Sequence, residues 1–276
     1  MKLFKKVAII GTGLIGGSLA QAIKKNRLAD EIVGVSRHKR SLALAKQHKA
    51  IDRGSQSLEI IKGADLVVFA TPVDVILKVA PKARQFIDDK AIVSDVGSTK
   101  ELIVKNLEKI FPRFVGSHPL AGSEKRSIAN ANPSLFKDSL CILTPTRNTD
   151  TRALKRIALL WKQVGAKTSI IDPAVHDTIL AFVSHLPHVA AFSLIDAVPS
   201  QYLQFSATGL KDTTRIAASD SEIWTEIFLS NRQNILKAIF LWQKEISQIQ
   251  IAIKKKDSRQ LSLLLQKAKV KRERLL

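Results

Sequence analysis

A short apolar run followed by a spaced set of glycines opens the chain. Val7–Ile10 are four consecutive apolar residues, and helical spacing runs from residue 14 to residue 25. Between them lies the loop Gly11, Thr12, Gly13, Leu14, Ile15 and Gly16. In a strand–loop–helix unit the first glycine permits a tight turn, the second lets the backbone approach a pyrophosphate, and the third lets the helix pack closely on the strand. Since the helix N-terminus also offers free N–H groups to phosphate oxygens, this opening predicts a dinucleotide-binding unit.

Short apolar strands alternate with helical segments over the first part of the chain. The further predicted strands are 31–35, 65–70, 91–94, 114–115, 141–143 and 168–171, with further helices at 41–49, 99–110 and 151–164. This order is typical of a doubly wound, mostly parallel sheet with right-handed connections. After Pro173 only helical spacing remains. We therefore predict a Rossmann-type α/β domain over residues 1–172 and an all-α helical domain over residues 173–276.

The composition is that of a globular protein with an unusual charge. The 276 residues are 45% hydrophobic and 25% charged, which excludes a disordered chain. They carry 44 Lys and Arg against 24 Asp and Glu, a net charge of +20, which leaves nucleic acid, a membrane surface or anionic small molecules open as partners. The single cysteine, Cys141, excludes an internal disulfide, and we expect it to be a buried small side chain.

Two segments bear on location. The N-terminal apolar run is too short for a signal peptide. The longest uncharged stretch, residues 178–195, contains His185, Pro187 and His188, which makes it a poor membrane span and a plausible buried helix or interface. We therefore expect a cytoplasmic protein that does not bind a membrane.

The residues after the second predicted strand bear on the choice of cofactor. Sites that prefer NAD place Asp or Glu there to bond the adenosine ribose, whereas this chain has Ser36 and Arg37 there and no carboxylate among residues 35–40. Both side chains can donate hydrogen bonds to a 2′-phosphate, and Arg37 can stack on adenine. We therefore expect NADP to be preferred over NAD. Thr71 and Pro72, which close the third predicted strand, are also assigned to cofactor binding.

Several polar motifs interrupt the apolar pattern and carry a resemblance. They are Gly-Ser-His-Pro-Leu-Ala-Gly at 116–122, Leu-Thr-Pro-Thr at 143–146, Ser-His-Leu-Pro-His at 184–188 and Lys-Asp-Thr-Thr-Arg-Ile-Ala at 211–217. With the glycine loop, they make nearly the whole chain resemble the prephenate and arogenate dehydrogenase family of tyrosine biosynthesis. This resemblance implies a Rossmann-type domain followed by a helical domain that forms a homodimer.

The resemblance also implies roles for individual residues. It makes His118 the catalytic base, a role that suits a neutral imidazole at physiological pH, with Ser98 as its neighbour. Arg215 is implied as the anchor of the substrate's side-chain carboxylate, where a planar guanidinium can bind at two points. The other residues implied to bind the anionic substrate are Lys211, His185, His188, Glu124 and Trp224. No cluster of His, Cys or carboxylates has the spacing of a metal site, and this chemistry needs no metal.

These observations predict an oxidoreductase that oxidises and decarboxylates prephenate to 4-hydroxyphenylpyruvate. An NADP-dependent arogenate dehydrogenase that yields tyrosine directly is the alternative, since no residue here decides between the two substrates. Two remoter alternatives remain: another hydroxy-acid dehydrogenase that uses Lys211, and a basic nucleic-acid-binding protein, which only the net charge suggests.

Overall fold

The structure is a computed structural model that describes residues 2–121 and 127–275. Within these residues the strands form one eight-stranded sheet in the order β3-β2-β1-β4-β5-β6-β7-β8. The strands are β1 Phe4–Ile10, β2 Ala29–Val35, β3 Arg53–Ser55, β4 Leu66–Phe69, β5 Ile92–Asp95, β6 Phe114–Pro119, β7 Leu140–Thr144 and β8 Lys167–Ile170. All neighbours pair in parallel except β6 and β7, so the predicted doubly wound, mostly parallel sheet is confirmed.

Strand β1 shows why the first apolar run is continuous. Val7 and Ile9 belong to one buried cluster and Ala8 and Ile10 to another, on opposite faces of the sheet. Over Val7–Ile10 the strand is covered on both faces and no position faces solvent, so all four residues are apolar. The covering helices are α1 Leu14–Lys25, α2 Lys39–Gln47, α3 Val73–Ala83, α4 Glu101–Leu107 and α5 Thr151–Gln163.

The chain after β8 is helical, as its spacing predicts. The helices are α6 Pro173–Leu180, α7 Leu186–Asp196, α8 Thr208–Thr214, α9 Ser221–Ser230, α10 Arg232–Lys254 and α11 Ser258–Glu273. A π-helical turn, Ala181–His185, joins α6 to α7 just before Pro187. Proline lacks an N–H and its ring crowds the preceding turn, so a locally wider turn accommodates it.

The helical region buries few of its large apolar side chains. Ala181, Ile235 and Ala238 form its small buried cluster, whereas Val183, Leu229 and Phe240 are all more than half exposed. By length and composition alone, Pro173–Asp196 could cross a membrane, and 22% of its apolar window is buried. The same segment carries the buried polar residues His176, Asp177 and His185, which contact the rest of the protein.

Polar residues are buried where β5 and β6 end. Ser94, Asp95, Lys100 and Ser117 are all at most 2% exposed, at the carboxyl edge of the sheet. Open parallel sheets bind ligands at this edge. The helical region packs over the same edge through α4 and α6, which are in contact.

Candidate active site

The glycine loop forms a cradle with room for a pyrophosphate. Gly11 has a φ of +105°, and a Cβ there would lie 2.4 Å from the carbonyl oxygen of Ala70, so only glycine fits. At Gly13 a Cβ would meet nothing within 4 Å, which leaves open space beside the backbone. At Gly16 it would lie 2.0 Å from the Gly11 carbonyl oxygen, so α1 is tightly packed against the turn. These are the three properties that the sequence motif predicts.

Two hydroxyl groups beside the cradle are buried without a partner. Among the described residues, Thr12 Oγ1 and Thr71 Oγ1 belong to the few buried side-chain atoms that make no hydrogen bond. The methyl group of Thr71 lies against Gly11 of the loop, and the methyl group of Thr12 lies against Gly34 on β2. An unpaired buried hydroxyl is costly, so polar groups of a bound dinucleotide would be favourable partners. The residues present therefore fit this cofactor.

The segment after β2, where the sequence predicts the adenosine to bind, is open and positively charged. Arg37 is exposed after β2, and its carbonyl accepts a hydrogen bond of 2.6 Å from Gln56 Nε2. Ser36 Oγ accepts from the backbone N–H of His38 at 3.3 Å. The loop backbone is thus held while the Arg37 side chain stays available. Leu14 and Ile15 lie in the first turn of α1, and Pro72 precedes α3.

A cavity of about 550 Å³ lies between the sheet edge and the helical region. Six of the eight residues predicted for catalysis or substrate binding line it: Ser98, His118, His185, His188, Arg215 and Trp224. Lys211 does not line this cavity; it is exposed on α8, which ends at Thr214 before Arg215. Its role, like those of the six, stays a prediction. Glu124 lies outside the described residues.

His118, on β6, is kept neutral by its surroundings. Burial lowers the pKa of His118 well below 6.5, and the neighbouring His176, Lys100 and His185 lower it further. A neutral imidazole has one free lone pair and can accept a proton at neutral pH. The residue therefore has the protonation state that a base requires.

The other two cavity histidines are also neutral, and each has a fixed partner. Burial lowers the pKa of His185 to about 4, and its Nδ1 lies 3.2 Å from Asn231 Nδ2, which donates to it. Burial likewise lowers the pKa of His188, whose Nδ1 donates to the Ser184 carbonyl at 2.9 Å. The His188 ring stacks on Trp224 with 3.4 Å between centroids. Since the Nδ1 of His185 accepts a hydrogen bond, its Nε2 carries the hydrogen and is a donor. Since the Nδ1 of His188 donates one, its Nε2 has the lone pair and is an acceptor.

An ion pair beneath the cavity ties β5 to β6. Lys100 Nζ bonds the Asp95 carboxylate and also donates to the Ser117 carbonyl at 2.9 Å, and both charged side chains are fully buried. The Asp95 carboxylate accepts from the N–H groups of Gly97 at 2.8 Å and Ser117 at 3.2 Å. A buried pair requires such additional hydrogen bonds to offset its desolvation. The polar run 95–100 thus shapes the strand ends that present Ser98 and His118.

Sequence reasoning missed two buried residues beside His118. His176 Nε2 lies 2.9 Å from His118 Nδ1, and His176 Nδ1 lies 2.7 Å from Asp177 Oδ1. Both stand in the second turn of α6, at positions that read as ordinary helix. Their partners are 58 and 77 residues away in sequence, and the only local signal is two adjacent polar residues within an apolar helix.

Comparison with known proteins agrees with this architecture. Residues 19–170 match the family model described as the nucleotide-binding domain of prephenate dehydrogenase, and residues 172–267 match the model described as its dimerization domain. The prephenate dehydrogenase of Bacillus subtilis (strain 168) is 35% identical over 280 residues, which cover 98% of this chain and 76% of the relative.

Solved structures agree as well. A crystal structure of prephenate dehydrogenase from A. aeolicus, in complex with hydroxyphenyl propionate and NAD+, has a TM-score of 0.93 and 34% identity, covering 99% of this chain and 98% of that one. Synechocystis arogenate dehydrogenase has a TM-score of 0.85 and 28% identity, covering 98% of this chain and all of that one (100%). This chain belongs to the prephenate dehydrogenase family and is an oxidoreductase that uses a nicotinamide dinucleotide.

Proposed function

We propose that the chain oxidises and decarboxylates prephenate, with His118 as the base and Arg215 as the anchor of the side-chain carboxylate. The observation that carries this proposal is the cavity itself, which brings the neutral His118, Arg215 and the ring of Trp224 together at the carboxyl edge of the sheet. Prephenate has the matching groups: a ring hydroxyl at C4, a ring carboxylate at C1 and a pyruvyl side chain with its own carboxylate.

The proposed chemistry requires one proton to move at a defined atom. His118 Nε2 accepts the proton of the C4 hydroxyl as the C4–O bond becomes a carbonyl and hydride leaves C4. When bound, the oxidised nicotinamide supplies the acceptor for that hydride. The C1–carboxylate bond then breaks and carbon dioxide departs. The electron pair of the broken bond stays with the ring, which becomes aromatic, and negative charge returns to the oxygen on C4. The proton held by His118 neutralises that oxygen, so the base is regenerated.

The remaining cavity residues would hold the substrate in place. Arg215 can bind a carboxylate with two parallel hydrogen bonds. The Nε2–H of His185 is a further donor, and the stacked pair of His188 and Trp224 offers a flat surface to the ring. Ser98 lines the same cavity as His118 and is a candidate donor to the C4 hydroxyl.

The proposal is tested by a matrix of prephenate and arogenate, each with NAD and NADP, on the wild type and His118→Asn. We expect reduced dinucleotide to form with prephenate, and a kcat about 10²- to 10⁴-fold lower in the variant, because general base catalysis is lost. His48→Asn, an exposed histidine of the first domain, is the matched control and should match the wild type. If no dinucleotide is reduced in any of the four wild-type combinations, the proposal is overturned. If only arogenate is turned over, arogenate and not prephenate is the substrate.

The proposal includes a preference for NADP. It is supported by the exposed side chain of Arg37 and by the lack of a carboxylate at the end of β2, where an acid would repel a 2′-phosphate. Arg37→Ala should weaken NADP binding at least tenfold and change NAD binding little, because only NADP carries the 2′-phosphate. If the dissociation constants for NADP and NAD rise by the same factor, the proposed preference for NADP is contradicted.

The proposal also includes a homodimer that forms through the helical region, and a cytoplasmic location. The many exposed large apolar side chains of α6 to α11 support an interface there. The buried polar residues of Pro173–Asp196 support packing against protein over insertion into a membrane.

A further inference from the structure

His118 is joined to two further buried residues on the side away from the cavity. Its Nδ1 lies 2.9 Å from His176 Nε2, and the other nitrogen of His176 lies 2.7 Å from Asp177 Oδ1. His176 is fully buried and Asp177 is 2% exposed, so water does not compete for either contact. The three side chains form a continuous line from the cavity into the contact between α4 and α6.

The line begins at a carboxylate that can only accept hydrogen bonds. Asp177 Oδ1 accepts from the backbone N–H of Lys100 at 2.7 Å, and Oδ2 accepts from that of Glu101 at 3.0 Å. These are the N–H groups of the N-cap residue and of the first residue of α4, so the helix dipole also favours a carboxylate there. With Asp177 ionised, the hydrogen of the 2.7 Å contact must lie on His176 Nδ1.

The proton positions of both rings follow from that starting point. Burial lowers the pKa of His176, which leaves its ring neutral with a lone pair at Nε2. That lone pair faces His118 Nδ1, so His118 must carry its own hydrogen on Nδ1 to complete the 2.9 Å bond. The lone pair of His118 is then at Nε2, on the nitrogen that the pair with His176 leaves free.

We propose that His176 is a positioning residue that, held by Asp177, fixes His118 in the Nδ1–H form and so keeps Nε2 as the accepting nitrogen. The proposal rests on the proposed function only in naming His118 as the base. An imidazole held by a carboxylate in the correct tautomer is a known requirement of acid–base catalysis, and here the carboxylate acts through a second imidazole. In a free imidazole the Nε2–H form is favoured, which would place a hydrogen where the base needs a lone pair.

A packing role predicts a different result from a hydrogen-bonding role. The His118 and His176 rings meet edge to face with 5.1 Å between centroids, so any apolar side chain of similar size could fill the space. Only a side chain with an acceptor at the same place can hold the Nδ1–H of His118. His176→Gln has such an acceptor in its amide oxygen, and His176→Leu has none.

The activity test compares these two variants. We expect kcat for the wild-type substrate and cofactor to fall about 10²- to 10³-fold in His176→Leu, with KM nearly unchanged, and to recover at least tenfold from that level in His176→Gln. His48→Leu makes the same exchange at an exposed site and should leave kcat unchanged. A kcat within threefold of the wild type in His176→Leu, or equal losses in both variants, would overturn the proposal.

Nitrogen-15 spectra of histidine-labelled protein give a readout that needs no activity. We expect the His118 signals, assigned from their loss in His118→Asn, to show a protonated Nδ1 and an unprotonated Nε2 in the wild type. His176→Leu should shift the ring towards the Nε2–H form. A wild-type ring protonated at Nε2 overturns the proposal even if both variants fail to fold. An active His118→Asn enzyme would overturn the proposed function instead, and leave the tautomer reading unaffected.

Discussion

At the scale of single residues, the cavity holds three histidines that are neutral at physiological pH. Burial is the main cause of the lowered pKa at His118, at His185 and at His188. If these histidines were protonated, their positive charge would repel the guanidinium of Arg215. The same repulsion makes Arg215 lower the pKa of His188. Among the described residues, the cavity lining thus presents one permanent cation, Arg215, to an anionic substrate, and the proposed base, His118, is uncharged.

With His118 as the proposed base, this arrangement predicts the pH dependence of the reaction. Because the pKa of His118 lies well below 6.5, the base form persists as the pH falls through 6.5, and activity is lost only when His118 takes up a proton at a lower pH. We expect the acid limb of log(kcat/KM) for prephenate to have its midpoint below 6.5, when initial rates are measured between pH 5 and 8. A midpoint at or above 6.5 would show that His118 is not shielded as described.

At the scale of secondary-structure elements, the sequence is informative wherever an element is apolar enough to be buried. The apolar runs of β1, β4 and β5 predict strands, and the change of pattern after β8 predicts the helical region. Strand β3 was missed because Arg53–Ser55 contains no apolar residue. The break between α9 and α10 at Asn231 has no signal in the sequence, because apolar residues keep helical spacing on both sides of it.

The site shows the same limit. Motif residues such as His118 and Arg215 are visible in the sequence because they interrupt apolar segments with recognisable patterns. His176 and Asp177 are defined by partners on β6 and at the start of α4, and only the folded chain brings these together. Asn231 likewise joins the Asp177 carbonyl, at 2.7 Å, to the His185 ring.

The contact between α3 and α9 is sensitive to pH. Glu226 Oε1 accepts from the backbone N–H of Asp74, and the two carboxyl groups share a hydrogen bond. Burial and the neighbouring Asp74 raise the pKa of Glu226 to about 7, from an ordinary value of 4.5. Between these two values the unfolded chain releases the proton that folded Glu226 retains, so the contribution of Glu226 to folding stability declines as the pH rises from 4.5, and the decline is complete above 7.

Glu226→Gln should remove that decline, because an amide keeps both the acceptor and the donor without ionising. We expect the melting temperatures of variant and wild type to agree near pH 5 and the variant to melt higher at pH 8. Glu226 is partly exposed and screened, so the gain should not exceed about 1 kcal/mol, or about 2–4 °C. A variant that melts below the wild type at pH 8 would contradict the pairing.

At the scale of the whole molecule, two surfaces remain for partners. The net charge of +20 gives a field that attracts anions, and a prephenate dianion and a phosphorylated cofactor are both favoured by it. Arg37 and Arg215 are the cations proposed to contact these two ligands directly. The second surface is apolar and belongs to the helical region, where Leu229 is 68% exposed and Leu236 58%.

The apolar surface predicts how the molecule assembles. Leu236 and Phe240 are one helical turn apart on α10, so their side chains lie on one face, and the double substitution Leu236→Glu with Phe240→Glu would place two charges in the proposed interface. By light scattering after size exclusion, we expect the wild type at twice its chain mass of 30.5 kDa and the variant at the single-chain mass. Leu159→Glu, an exposed apolar position on α5 of the first domain, is the control and should stay dimeric. A wild type of single-chain mass would contradict the homodimer, since burying the exposed apolar area of the helical region is what favours it. Dissociation of the control alone would place the interface on the first domain instead.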